Sequence, residues 1–153
     1  VPIDIDVRVS GAKEASARLI AMHARTKLFT PVLVKAKQQV KLANAANFAT
    51  NGLPVGGWQP LDAQYAAWKM ARFPGAPPLV RSGRLFASLT GATASLETMT
   101  NTSFTIGTTV EYAKFHQYGT TKMPKRKIVF EPPLFAKKLG VDALDWIARG
   151  EVL

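Results

Sequence analysis

The 153-residue sequence contains no cysteine, which removes disulfides, thiolate nucleophiles and cysteine-ligated zinc together. That absence fits assembly in a reducing compartment. Histidine is nearly missing: only His23 and His116 occur, and no His-Glu-x-x-His spacing exists to hold a metal. Acids are scarce and scattered, ten in all, so no paired carboxylates stand ready for hydrolytic chemistry. No Gly-x-Ser-x-Gly elbow presents Ser82 or Ser88 as a nucleophile. Gly56-Gly57 leads into Trp58 rather than into a phosphate-cradling helix. No apolar run approaches the roughly 18 residues of a membrane span, and no segment has the make-up of a secretory leader. Internal repeats and low-complexity tracts are also absent. The expectation is a chain that is not an enzyme, carries no cofactor or metal, and stays out of the membrane.

What is present is an ordinary globular composition, 47% hydrophobic and 20% charged, with a strong basic excess. The length fits a single domain over residues 1–153. Twenty Lys and Arg against ten Asp and Glu give a formal charge of +10. Residues 8–41 hold Arg8, Lys13, Arg18, Arg25, Lys27, Lys35, Lys37 and Lys41 against Glu14 alone. Residues 114–138 hold Lys114, Lys122, Lys125, Arg126, Lys127, Lys137 and Lys138 against Glu131 alone. Two basic regions imply an acidic partner, either nucleic acid or an acidic protein surface.

Residues 3–9, Ile-Asp-Ile-Asp-Val-Arg-Val, alternate apolar and polar and read as a half-buried strand. Ser10 is the expected cap of the next element. From Ala12 an apolar stripe continues through Ala15, Leu19, Met22, Thr26, Phe29, Leu33, Ala36, Val40, Ala43 and Asn47 at alternating spacings of three and four. Pro31 interrupts this stripe without shifting its phase. One bent helix over 12–49 is therefore favoured, with a second helix started at Thr30-Pro31 as the alternative. Residues 61–72 read as a short helix, and Ser82 as the cap of another through Leu89. A strand pair over 92–99 and 103–107 turns at Asn101-Thr102. A short helix follows from Glu111 to Tyr118, then a basic loop over 120–126, a last strand over 127–130, and a closing helix within 132–150. The expected class is α+β: a long kinked N-terminal helix on a small, mostly antiparallel sheet, with short helices.

Trp58, Tyr65, Trp68, Phe73 and Phe86 are expected in the core, a base-stacking platform being the functional alternative. Lys122, Lys125, Arg126 and Lys127 crowd a short loop with Pro124 at its centre. Four like charges so close repel one another, which leaves two readings open: a solvated loop, or a contact to an acidic face. The Lys125, Arg126 and Lys127 side chains are expected in solvent.

Three sequence blocks in fixed order carry further information. The first is Phe48, then Gly56-Gly-Trp-Gln-Pro-Leu61 and Tyr65 to Lys69. The second is Leu79-Val-Arg-Ser-Gly-Arg-Leu-Phe-Ala-Ser-Leu89. The third is Ile106-Gly-Thr-Thr-Val-Glu-Tyr-Ala-Lys-Phe-His-Gln-Tyr-Gly-Thr120, closed by Met123-Pro-Lys-Arg126. Over residues 12–130 this resembles the tailed-phage virion-morphogenesis family, the tail-completion and neck proteins typified by phage Mu. The matching positions are Trp58, Leu61, Ser82, Gly83, Leu85, Leu89, Gly107, Tyr112, Ala113, His116, Gly119, Thr120 and Pro124, with Arg126 at the family's Pro-x-Arg position. After Arg126 the chain is more basic and richer in proline than the family's usual ending. The resemblance implies a structural virion protein, assembled in the bacterial host cytoplasm and located at the neck or tail. It further implies a homo-oligomeric ring of six or twelve copies between connector or head-completion and tail-tube proteins, with DNA passing through unread. A basic nucleic-acid-binding domain is the alternative function.

Overall fold

The computed structural model describes residues 10–91 and 95–152; the strand expected over 3–9 lies outside them. The class is α+β, as the sequence implies. Six helices are present among the described residues: α1 (Ala12–Arg25), α2 (Thr30–Ala49), α3 (Ala63–Arg72), α4 (Arg84–Thr90), α5 (Ala113–Tyr118) and α6 (Phe135–Arg149). Between α4 and α5 lies one antiparallel hairpin, β1 (Ser95–Met99) and β2 (Phe104–Thr108), paired from Ser95 opposite Thr108 to Met99 opposite Phe104. Its turn falls at residues 100–103, where the Thr100 hydroxyl accepts from the backbone N–H groups of Thr102 and Ser103.

The favoured single bent helix over 12–49 is instead two helices. The last turn of α1 tightens, with Lys27 N–H donating to Ala24 and Leu28 N–H to Arg25. The Phe29 N–H then leaves the helical ladder for the Asn101 carbonyl at the hairpin tip, 2.8 Å away. Pro31 has no N–H to resume the ladder, and it sits in the first turn of α2, where none is needed. The apolar stripe is buried only after this break. No residue of α1 is buried, whereas α2 buries Val32, Leu33, Ala36, Asn44, Asn47 and Phe48.

Two expected side-chain caps are replaced by glycine. Gly11 and Gly83, rather than Ser10 and Ser82, occupy the cap positions of α1 and α4, both left-handed and without a side-chain cap bond. By contrast Asp62 caps α3 by accepting from the Gln64 and Tyr65 N–H groups at 3.0 and 3.1 Å.

The core gathers Phe48, Trp58, Leu85, Leu89, Val110, Ala113 and Ile128. Phe48 meets the rings of Trp58 and Phe86 edge-on at 5.3 and 5.6 Å. Of the other aromatics expected inside, Tyr65 and Trp68 are instead substantially exposed, stacked on each other at 5.5 Å. The expected strand over 127–130 does not form. The Gln117 carboxamide replaces a neighbouring strand there: its oxygen accepts from Ile128 and Val129 N–H, and its nitrogen donates to the Val129 carbonyl. Those backbone groups are satisfied without a ladder.

Part of the basic excess is spent internally. Lys35 pairs with Asp142 of α6 at 2.9 Å, and Arg25 donates to the α6 carbonyls of Ile147 and Ala148. Trp146 Nε1 closes the same contact on the Leu28 carbonyl. Lys37 and Lys41 hold Glu97 of β1 at 3.1 and 2.6 Å. These ammonium groups, Lys41 first, hold the Glu97 carboxyl down at about 2, against an ordinary value of 4.5, although partial burial opposes the shift. Because the folded-state value is depressed, the group stabilises the fold above pH 4.5, and that contribution disappears as pH falls toward 2. Thermal melts from pH 7 to 2 should therefore show a wild-type advantage over Glu97→Gln that shrinks below pH 4.5. A constant gap across the range would refute this role.

Candidate functional site

The three sequence blocks, separated along the chain, meet around one cavity of 540 Å³. The first block contributes Leu61 and Tyr65, with Asp62, the cap of α3, between them. The second contributes Leu79 and residues 81–85, where the chain turns into α4. The third contributes Tyr112, Phe115 and His116 from α5, and Lys122, Met123, Pro124 and Arg126 from the following loop. Local chemistry fixes each wall. The Asp62 cap sets the start of α3, while the loop after α5 closes through reciprocal backbone bonds between Thr120 and Met123. The Thr120 hydroxyl accepts from the N–H groups of Lys122 and Met123, completing that turn. Gly119 ends α5 at φ 76°, where a Cβ would come within 3.0–3.2 Å of the Lys125 backbone and the Met123 carbonyl. Only glycine suits that crossing.

The largest correction concerns Arg126. It is 5% exposed rather than solvated. Its Nε donates to the Gln59 carbonyl at 2.9 Å and its Nη2 to the Pro60 carbonyl at 2.8 Å. The guanidinium is thus a strut joining the third block to the first, not a free fork for a partner's carboxylate. Burial lowers its pKa, yet guanidinium remains charged throughout the physiological range. Lys69 acts similarly on the other side, donating to the carbonyls of Pro77 and Pro78, and burial lowers its pKa as well. Both buried cations are satisfied by neutral carbonyls, without a carboxylate.

His116 lines the cavity beside Arg126, whose backbone N–H donates to the His116 carbonyl at 2.8 Å. Burial, followed by the Arg126 charge, lowers its pKa and favours the neutral ring. Its Nδ1 is buried without a hydrogen-bond partner, and its ring meets Tyr112 edge-on. Among the described residues no group of three or more His, Asp or Glu gathers to hold a metal ion.

The other expected site residues divide between cavity and scaffold. Leu61, Ser82, Gly83, Leu85, Tyr112, His116, Lys122 and Pro124 all line the cavity. Trp58, Leu89 and Ala113 belong to the core, and Gly107 lies in β2 opposite Leu96. Lys125 and Lys127 are exposed and outside the cavity wall. The Lys127 backbone is nonetheless anchored, its carbonyl accepting from Asn47 Nδ2 and Trp58 Nε1, each at 2.9 Å. Sequence reading missed Arg81, Arg84 and Met123 as wall residues. The signal for the two arginines was available: they flank Ser82-Gly83 in the second block, in a stretch without acids.

Among the described residues no helix is long and apolar enough to cross a membrane. Comparison with family models, curated proteins and solved structures yields no match to this chain.

Proposed function

We propose that this chain is a structural virion-assembly protein of a tailed bacteriophage, acting in tail completion or head–tail joining as a homo-oligomeric ring around the DNA channel. The observation that carries the reading is the meeting of the three resemblance blocks around one cavity whose walls are tied by structural bonds rather than catalytic ones. The outward apolar side chains of the α1 and α6 pair support the oligomeric part. Leu19 and Ile20 are 65% and 68% exposed, and Val141 and Leu144 are exposed on α6. Neighbouring copies would cover this surface, since large apolar patches mark association sites. At +10 per subunit the copies repel, so ring formation should need high salt or an acidic neighbour.

Deleting the gene should leave filled heads and tails that fail to join, or tails of faulty length, by electron microscopy of lysates. Normal infectious particles from the deletion would overturn the assignment. The alternative, a nucleic-acid-binding domain, draws on the exposed Lys122, Lys125 and Lys127. It predicts tight duplex binding with a steep salt dependence.

A further inference from the structure

We infer that the cavity between α3, α4, α5 and the 120–126 loop is a docking pocket for an acidic peptide segment of a neighbouring protein, in which a carboxylate sits beside an apolar side chain. The inference rests on the assembly reading for the existence of that neighbour.

The cavity wall is unbalanced in charge. Arg81, Arg84 and Lys122 are exposed at it, and none of their side chains makes a hydrogen bond or ion pair among the described residues. Arg126 adds a buried guanidinium whose recorded partners are two neutral carbonyls. Among the described residues Asp62 is the only acid in the wall, and its Oδ1 already accepts the Gln64 and Tyr65 N–H groups. Four cations therefore face a single committed carboxylate. In a concave, partly dry site such an arrangement creates a positive potential that only an anion can offset.

The remainder of the lining is apolar. Leu61, Leu79, Leu85 and Met123 contribute to it, together with the rings of Tyr112 and Phe115. An inorganic anion would leave this surface wet. A nucleic-acid backbone calls for cations spread along a track, whereas these converge on one enclosure. A peptide with an acidic side chain next to a leucine or phenylalanine satisfies both halves of the wall at once. The volume of 540 Å³ suits one or two side chains and falls within the range of small-ligand clefts. Arg81 and Arg84 bring planar forks suited to a carboxylate. The struts of Arg126 and Lys69 hold the walls before the partner arrives, which reduces the ordering cost of docking.

The test uses the full chain and a fluorescein-labelled Asp-Phe-Asp-Leu peptide followed by fluorescence anisotropy. Its Asn-Phe-Asn-Leu counterpart and a short oligothymidylate serve as competitors. The acidic peptide should bind saturably, with the amide counterpart weaker by about tenfold or more, the loss expected for one charge-assisted hydrogen bond. The Arg81→Ala/Arg84→Ala double variant should lose a similar factor without a change in melting temperature. Lys137→Ala/Lys138→Ala, which removes the same net charge from α6, should bind as wild type. The pocket is refuted by absence of saturable binding at millimolar peptide, by equal binding of the amide peptide, or by equal losses in the two double variants. Displacement of the peptide by oligothymidylate at lower concentration would refute it in favour of nucleic acid. These outcomes are independent of the deletion phenotype, so the pocket and the assembly reading fail separately.

Discussion

Arg126→Glu should lower the melting temperature by roughly 6–12 °C, taking a loss of about 3 kcal/mol for two buried charge-assisted hydrogen bonds and 2–4 °C per kcal/mol in a domain of this size. The substitution removes both bonds to the Gln59 and Pro60 carbonyls and places a carboxylate beside two carbonyl oxygens. Arg126→Lys keeps the charge but lacks the fork that reaches both acceptors, so its loss should be intermediate. Lys125→Glu and Lys127→Glu change exposed side chains and should stay within about 0.5 kcal/mol of wild type. Circular-dichroism melts of the four proteins check the ordering. If Arg126→Glu melts with the lysine variants, the guanidinium is not a strut in solution. A joint reversal of Lys125, Arg126 and Lys127 would not isolate a docking role, because its Arg126 component destabilises the fold.

The Arg126 case marks where sequence reasoning loses its grip. A cation in a run of cations looks solvated, and nothing adjacent announces the carbonyls of Gln59 and Pro60, more than sixty positions away. Buried charge satisfied by backbone is a tertiary fact with no local signature. Elements governed by local chemistry were legible: the Asp62-capped α3, the hairpin turning at residues 100–103, and the helix closing the chain after Pro132-Pro133. The break between α1 and α2 was only half legible. Pro31 marked the position, but the unbroken phase of the stripe argued for continuity, and the deciding bond runs from Phe29 to Asn101 in another element. The strand expected over 127–130 failed for a similar reason, since a side chain, Gln117, takes the place of a partner strand. The candidate site was legible as three blocks in order, but their meeting around one cavity follows from the fold. Arg81 and Arg84 lie outside both basic regions of the sequence, and only the fold brings them beside Lys122 and Arg126.

Trp58→Ala should be the most damaging single substitution in the core, costing about 3–5 kcal/mol by urea unfolding. The indole packs edge-on against Phe48, and Gly52 approaches it so closely that a Cβ there would overlap the ring. It also donates Nε1–H to the Lys127 carbonyl, which Asn47 Nδ2 shares. That sharing makes a sharper prediction than the total loss. Trp58→Phe keeps most of the packing and leaves the carbonyl with Asn47 as donor. Asn47→Ala leaves it with Trp58. Only the double variant orphans this part-buried acceptor, at a cost of about 1 kcal/mol that neither single change incurs. The double-mutant cycle should therefore show the combined loss exceeding the sum of the single losses by that amount. Additivity within about 0.5 kcal/mol would mean that water replaces the missing donors, and that the link from α2 through Trp58 to the basic loop is looser than these two bonds imply. A clear excess would instead tie the loop that lines the cavity to the core through the shared Lys127 carbonyl, so that loss of the core contact should also reposition Lys122 and Met123.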